Sequence, residues 1–318
     1  MIRTSLALAL TLALSACGTQ TDAPAVAETA PAPAAAPVQE PVAPPPIAEP
    51  AASSDQALAT VIAGSWRTPE FVARDVWRHP AETLSFFGIA PNQTVVEITP
   101  GGGWYSEILG PYAKTSGRYV GAIVDETKVQ SEGGRKYYTE SNKALRDKFA
   151  ASPDQFGAAE LVAFDSAAPQ FGEANSADLV LTFRNVHNWM GKEGQAQAMF
   201  NGFFSVLKPG GALGVVEHRA NADVPAGDSS GYVSEAQVIA FAEAAGFALE
   251  EKSEINANPA DTKDHPNGVW TLPPVSRLPE GDDGAKYKAI GESDRMTLRF
   301  RKPVADASVA PAAPATSS

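Results

Sequence analysis

The sequence has 318 residues, of which 25 are basic and 37 acidic, and its formal net charge is −12. No basic block occurs, so the phosphate neutralisation that dominates nucleic-acid affinity is missing and a DNA- or RNA-binding function is excluded. The single cysteine, Cys17, excludes an internal disulfide and a thiolate metal cluster. Both ends are rich in Ala and Pro, and only residues 55–303 have the composition of a packed domain.

The first 17 residues, MIRTSLALALTLALSAC, have the pattern of a signal peptide, with an apolar run over 6–14 that is too short to span a membrane. The run ends in LSACG, which resembles the lipobox of bacterial lipoproteins; the alternative is an ordinary signal peptide with a chance cysteine. The resemblance implies cleavage before Cys17 and its lipidation, and several acyl chains anchor a protein durably to a membrane. Gly18 follows the cysteine, which in that family favours the outer membrane, facing the periplasm.

Residues 18–54 are almost all Ala, Pro, Val, Thr and acidic residues. Such a segment cannot bury enough apolar area to offset its ordering entropy, and its prolines favour extended polyproline II. We therefore predict a disordered, semi-rigid tether over 18–54. The tail over 304–318 has the same composition and is also predicted to be disordered.

The folded part begins with helical pieces over 55–90, in which Pro69 and Pro80 mark helix starts and Gly88 a helix end. Five apolar runs of strand length follow, each flanked by helical patterns, over 94–98, 119–124, 160–164, 177–182 and 212–217. Strands that alternate with helices indicate crossover connections and a mostly parallel sheet covered on both faces.

A helix over 234–245 and a sixth strand over 247–255 come next, followed by an irregular, proline-rich insertion over 256–293. A seventh strand is predicted over 295–301. The elements therefore predict an α/β fold with a doubly wound, mostly parallel seven-stranded sheet and helices on both faces.

Three ordered motifs accompany these strands. The first strand runs into EITPGGG, residues 97–103, where glycine lets bare backbone approach a ligand and the following helix start suits a carboxylate. The segment DSAAPQF at 165–171 precedes the fourth strand, and VLKPGGAL at 206–213 is a turn into the fifth. Together they resemble class I S-adenosylmethionine-dependent methyltransferases, which implies a Rossmann-like methyltransferase sheet.

By this resemblance, S-adenosylmethionine is the expected cofactor, and six residues are expected to bind it. They are Glu97, Gly101, Gly103, Asp125, Asp165 and Asn185. Asp165 takes the position that contacts the adenine edge in the family, and Asp125 is the candidate for the ribose hydroxyls. Residues 66–303 are more narrowly similar to a group of predicted bacterial methyltransferases of unknown substrate, which brings no known reaction with it.

The sequence departs from the family pattern in two places. Thr99 replaces the first glycine of the loop, and Pro100 fixes the next φ, so both restrict a turn that the family keeps free. Asp125 comes slightly late for the ribose position, so a ribose ligand and a solvated loop residue are both open interpretations. In addition, S-adenosylmethionine is made in the cytoplasm, whereas a lipoprotein domain lies outside the inner membrane.

Two of the four histidines follow strands four and five, where the acceptor side of this fold lies. We predict His187 and His218 as catalytic candidates, because imidazole titrates near neutral pH and can remove a proton from an acceptor. The alternative is that both are hydrogen-bonding residues that fix loops. A metal site formed by these histidines and Glu217 is an alternative that we do not favour, since no close-spaced ligand pair supports it. Trp104 and Trp270 are either packing residues or walls of the site.

Two functions are consistent with these patterns. The favoured one is an envelope methyltransferase that acts on a small molecule or an envelope component and is held to the membrane through Cys17. The other is a non-catalytic binding or scaffold lipoprotein that keeps the fold. The sequence indicates neither the methyl acceptor nor the oligomeric state.

Overall fold

The computed structural model describes residues 54–304, which contain every predicted strand and helix of the folded part. The predicted signal peptide with Cys17, the tether up to residue 53 and the tail from residue 305 lie outside the described residues and stay predictions. Among the helices of residues 54–304, none is both long and apolar enough to cross a membrane.

Four short helices precede the sheet. They are α1 (Ser54–Ile62), α2 (Pro69–Val72), α3 (Asp75–Arg78) and α4 (Pro80–Phe86). Pro69 and Pro80 occupy the first turns of their helices, as predicted, because a proline there loses no intrahelical hydrogen bond. Gly88, with a φ of 77°, ends the last of them.

Seven strands form one sheet. They are β1 (Thr94–Ile98), β2 (Arg118–Val124), β3 (Glu160–Phe164), β4 (Ala177–Phe183), β5 (Leu207–His218), β6 (Ala248–Ser253) and β7 (Arg295–Arg301). Three of them, β1, β3 and β7, have the predicted bounds. β5 is longer than predicted, because the chain already pairs with β4 from Leu207, opposite Ala177.

The strand order is β3-β2-β1-β4-β5-β7-β6, with β1 to β5 parallel and β7 antiparallel to both of its neighbours. This confirms the predicted doubly wound, mostly parallel, Rossmann-like sheet. The chain runs outward from β1 to β3 and then returns to the other side of β1 with β4. Ligand sites of such sheets form at the carboxyl ends of the strands where this reversal occurs.

Helices cover both faces of the sheet. After β1 they are α5 (Ser106–Ala113), α6 (Glu132–Ala151), α7 (Pro153–Phe156), α8 (Val186–Met190), α9 (Gln195–Val206), α10 (Glu235–Ala244) and α11 (Ala285–Ile290). In β4, Val180 packs in one apolar cluster with residues of α9 and α10, whereas its neighbour Leu181 packs in another with α4 and α5. Consecutive strand residues point to opposite faces, so both faces are buried.

The insertion predicted as irregular over 256–293 contains a 3₁₀ turn, Gly268–Thr271, and α11. It crosses the carboxyl ends of the central strands and brings Trp270 and Glu292 into the same cavity wall as residues of β4 and β5. The insertion therefore completes the site at the switch point of the sheet.

Candidate functional site

A cavity of about 800 Å³ lies at the carboxyl ends of β1, β4 and β5. Small-molecule sites commonly have volumes of roughly 300–1,000 Å³, so the space suits a cofactor together with a small acceptor. The lining includes Arg74, Arg78, Thr99, Gly101, Gly102, Trp104, Arg184, Asn185, His187, His218, Trp270 and Glu292.

The glycine loop after β1 forms one wall. Gly101 lines the cavity with a φ of 60°, and a Cβ built on it meets open space. Gly102 also lines the cavity, so the loop presents bare backbone there. Gly103, predicted as a cofactor residue, is not part of the lining; a Cβ on it would lie 2.9 Å from a methyl group of Leu145. Gly103 is required for packing of the loop against α6.

Thr99 holds a left-handed conformation, with a φ of 48°, at the position where the family has glycine. This conformation costs a β-branched residue about 1–2 kcal/mol, and the Thr99 hydroxyl is buried with no hydrogen-bond partner among the described residues. Strain of this kind persists where the surroundings impose it and is concentrated at functional sites.

We expect Thr99→Gly to stabilise the protein by about 1 kcal/mol, because relief of the left-handed strain exceeds the entropy that glycine adds to the unfolded chain. Urea unfolding measures the difference. Thr94→Gly is the matched control, since Thr94 lies in the extended strand β1 and should lose stability. Equal losses in the two variants would contradict the assignment of strain to Thr99.

The three predicted cofactor carboxylates do not line the cavity. Glu97 is buried, and its Oε2 atom accepts hydrogen bonds from the hydroxyls of Tyr119 at 2.6 Å and Ser106 at 2.9 Å. Burial raises the pKa of Glu97 to about 7 in spite of these two bonds. The structure therefore places Glu97 in an interior network that joins β1, β2 and α5.

Asp125 and Asp165 close turns of their own loops. Asp125 accepts hydrogen bonds from the amide of Thr127 at 3.0 Å and its hydroxyl at 2.6 Å, and these bonds lower the pKa of Asp125. Asp165 accepts from the amide of Ala167 at 2.9 Å. The loop interpretation of Asp125 therefore fits the structure better than the ribose interpretation, and the predicted adenine contact of Asp165 has no counterpart in the cavity lining.

Asn185, His187 and His218, which follow β4 or end β5, all line the cavity, and their roles stay predictions. Asn185 is buried and donates a hydrogen bond from Nδ2 to the carbonyl of Ile98 at 2.9 Å. This bond ties the end of β4 to the start of the glycine loop. The amide of Asn185 thus positions the two loops that face the cavity.

His187 pairs with Glu217, the residue before His218 in β5. The Nδ1 atom of His187 lies 3.0 Å from Oε1 of Glu217. Glu217 is fully buried, and its carboxylate also accepts from the backbone amides of Val186 at 2.5 Å and His218 at 2.8 Å. Because an ionised carboxylate only accepts hydrogen bonds, Nδ1 carries the proton and Nε2 carries a lone pair.

The Nε2 atom of His187 is buried and has no hydrogen-bond partner among residues 54–304. His187 lines the cavity, beside Trp270, whose ring centroid lies 5.4 Å from that of the imidazole. A histidine oriented by a carboxylate, with its other nitrogen free, has the arrangement of a general base.

His218 differs from His187 in its hydrogen bonding. Its Nδ1 atom lies 2.5 Å from the Oγ atom of Ser293. Burial first, and then the charges of His187 and nearby arginines, lower the pKa of His218 well below its usual value. His218 is therefore neutral at physiological pH, and its contact with Ser293 fits the loop-fixing alternative, while its catalytic role stays a prediction.

The ligand atoms of His187, Glu217 and His218 lie within 4.8 Å of one another. The sequence spacing did not predict this proximity, which is the geometry of a possible metal-binding group. However, both oxygens of Glu217 already accept hydrogen bonds, and the arginine charges that lower the pKa of His218 also repel a cation. We therefore interpret the three residues as a hydrogen-bonded cluster that joins the ends of β4 and β5.

An arginine cluster at the cavity was not predicted. Glu292 contacts Arg74 at 2.6 Å, Arg78 at 3.2 Å and Arg295 at 3.0 Å. Burial raises the pKa of Glu292, but the arginines lower it more, to about 2. The signal available in the sequence was Arg184, which directly follows β4 beside Asn185. The pairs of Glu292 with Arg74 and Arg78 join residues more than 200 positions apart in the chain, so spacing did not indicate them.

The fold is similar to solved structures of S-adenosylmethionine-dependent methyltransferases and of a [4+2]-cyclase. One from Aquifex aeolicus is 15% identical, with 72% of this chain and 93% of that chain covered and a TM-score of 0.45. The N-methyltransferase NodS from Bradyrhizobium japonicum WM9, in complex with S-adenosyl-l-homocysteine, is 17% identical, with coverages of 79% and 100% and a TM-score of 0.43. The [4+2]-cyclase SpnF is 16% identical, with coverages of 80% and 98% and a TM-score of 0.46. Neither a protein-family model nor a curated protein matches the sequence.

Proposed function

We propose that the protein is an S-adenosylmethionine-dependent methyltransferase that removes a proton from its acceptor with His187. The observation that carries the proposal is the His187–Glu217 pair. The Nε2 atom of His187 has no hydrogen-bond partner among the described residues, and His187 lines the same cavity as the glycine loop. The class I methyltransferase resemblance of the 97–103 loop supports the choice of cofactor.

The residues of the cavity fit this cofactor. Gly101 and Gly102 leave room where a side chain would otherwise stand, and Gly101 faces open space. The unpartnered hydroxyl of Thr99 offers a hydrogen bond that the protein itself does not satisfy. We propose that these residues and Asn185 hold the cofactor, which supplies an activated methyl group on a sulfonium. In this proposal Asp125 and Asp165 hold their own loops through hydrogen bonds to Thr127 and Ala167.

The chain's own contribution is orientation and proton removal. His187 Nε2 takes the proton of a protic acceptor, while its Nδ1–H remains on Glu217. Glu217 stabilises the resulting imidazolium, and backbone amides of Val186 and His218 hold the carboxylate in place. Trp270 and Pro273 form an apolar wall that limits access of water.

Replacement of His187 tests the proposed chemistry. With radiolabelled S-adenosylmethionine and a small-molecule extract of the cell envelope, we expect His187→Asn to form S-adenosylhomocysteine about 10²–10⁴-fold more slowly than wild type. His79→Asn is the control, because His79 lies outside the cavity lining and asparagine tolerates its φ of 41°. Equal rates for His187→Asn and wild type would contradict the assignment of the base.

The alternative is a non-catalytic binding or scaffold protein with the same fold. The observation in its favour is that Asp125 and Asp165 bond to their own loops rather than line the cavity. Cofactor binding without turnover on any envelope fraction would support this alternative.

We further propose that the protein is exported and anchored through lipidated Cys17, at the outer membrane and facing the periplasm. Support comes from the LSACG order and from the absence of any other cysteine in the sequence. In cells given radiolabelled palmitate, the wild-type protein should carry label and Cys17→Ser should not. Label in both proteins, or in neither, would contradict the proposed anchor.

A further inference from the structure

The cavity is cationic although the chain as a whole is acidic. Acidic residues outnumber basic ones 37 to 25 in the sequence. In the cavity lining the balance is reversed: the arginines are Arg74, Arg78, Arg184 and Arg277, and the only carboxylate among the described lining residues is Glu292. A pocket with this excess of one charge attracts ligands of the opposite charge.

Of the four lining arginines, Arg184 and Arg277 have no side-chain hydrogen bond or ion pair among residues 54–304, and Arg184 lies beside Asn185 at the end of β4. Glu292 contacts Arg74 and Arg78, but among residues 54–304 none accepts a hydrogen bond from the Arg184 guanidinium or forms an ion pair with it. A second donor is also left over, since the Nη2 atom of Arg74 is buried without a partner. Buried donors normally find acceptors, so the Nη2 atom of Arg74 points to an acceptor from outside the chain, and the half-buried Arg184 lines the same cavity.

The protein keeps Arg184 at an energetic disadvantage. Its backbone has a φ of 60°, a region that few residues other than glycine adopt. Burial, together with the charge of Arg295, lowers the pKa of Arg184 to about 10. An unpaired guanidinium in a strained position destabilises a fold, and such features are concentrated at ligand sites.

We propose that the cavity recognises an anionic acceptor, a small molecule with a carboxylate or phosphate group that Arg184 binds with help from Arg74. The planar guanidinium matches either oxyanion in a bidentate way. This proposal rests on the proposed methyltransferase function, because it names the substrate class of the same site.

Arg184 follows β4, whereas the glycine loop follows β1. Arg184 interacts electrostatically with Arg295, at the start of β7, and also with Glu97 in β1 and Tyr105 after the loop. In the sheet, β1 lies on one side of β4, whereas β5 and β7 lie on its other side. The His187–Glu217 pair joins the ends of β4 and β5, so an anion on Arg184 lies on the side of the general base.

Phosphate binding to the purified protein tests the inference without any methyl transfer. Inorganic phosphate is titrated at constant ionic strength and followed by tryptophan fluorescence, since Trp104 and Trp270 line the cavity. We expect saturable binding that Arg184→Gln weakens at least tenfold, with no loss of thermal stability because the guanidinium has no partner to lose. Arg118→Gln is the control: it removes the same charge from an exposed ion pair with Glu160, away from the cavity.

A second titration at saturating S-adenosylhomocysteine identifies the subsite. Unchanged phosphate affinity supports an acceptor site, whereas displacement of phosphate would overturn the proposal by assigning Arg184 to the cofactor. Wild-type phosphate affinity in Arg184→Gln would overturn the proposal as well.

A protein that binds phosphate through Arg184 but does not bind S-adenosylhomocysteine would contradict the proposed methyltransferase function and still support the anion site. In turnover assays, labelled methyl groups should appear in the fraction retained by an anion-exchange resin, and label only in the flow-through would contradict the proposal.

Discussion

Gly101→Val should weaken binding of S-adenosylhomocysteine about 100-fold, which corresponds to roughly 3 kcal/mol. Gly101 lines the cavity with a φ of 60°, where a β-branched residue is strained. A Cβ there meets open space, so the valine side chain would fill the cavity rather than pack against the protein. Calorimetric dissociation constants for wild type and variant measure the effect.

Gly88→Val is the matched control for this variant. Gly88 has a φ of 77°, is exposed, and likewise has open space around an added Cβ, but it is not part of the cavity lining. It therefore introduces similar backbone strain without obstructing the cavity, and cofactor affinity should be unchanged. Equal affinities for Gly101→Val and wild type would show that the ligand binds elsewhere.

Glu292→Gln should destabilise the protein by about 3–5 kcal/mol at pH 7, because removal of one partner leaves buried charges uncompensated. Three arginines contact this carboxylate, and Arg78 and Arg295 are themselves buried. Urea unfolding measures the loss. Glu160→Gln is the control, since its ion pair with Arg118 is exposed and should contribute less than about 1 kcal/mol.

The same variant should change the pH dependence of stability. The folded-state pKa of Glu292 is lowered from 4.5 to about 2, so its contribution is present above pH 4.5 and is lost as the pH falls toward 2. A shift of this size corresponds to about 3 kcal/mol. Glu292→Gln should therefore lose less stability than wild type over this acid range, and parallel pH profiles would contradict the assigned charge network.

Local sequence patterns predicted most of the fold. Pro80 marked a helix start and the apolar run at β1 a strand, because local steric and burial preferences fix both features. The beginning of β5 was missed, since the turn-like residues LKPGG pair with a neighbouring strand in the folded protein. Tertiary pairing overrode the local turn signal there.

The candidate site was predictable where strand ends determine it. Asn185 and His187 reach the cavity because they follow a central strand of a parallel sheet. Asp125 and Asp165 do not line the cavity, because short polar side chains after a strand also bond to their own loops. The contact of Arg74 with Glu292 depends on how the insertion folds over the sheet, which no local pattern specifies.

Calorimetry of the purified protein with S-adenosylmethionine and S-adenosylhomocysteine tests the proposed function most directly. We expect one molecule of either ligand to bind per chain, with an affinity that Gly101→Val reduces and Gly88→Val leaves unchanged. No heat of binding at millimolar concentrations of both ligands would contradict the methyltransferase function.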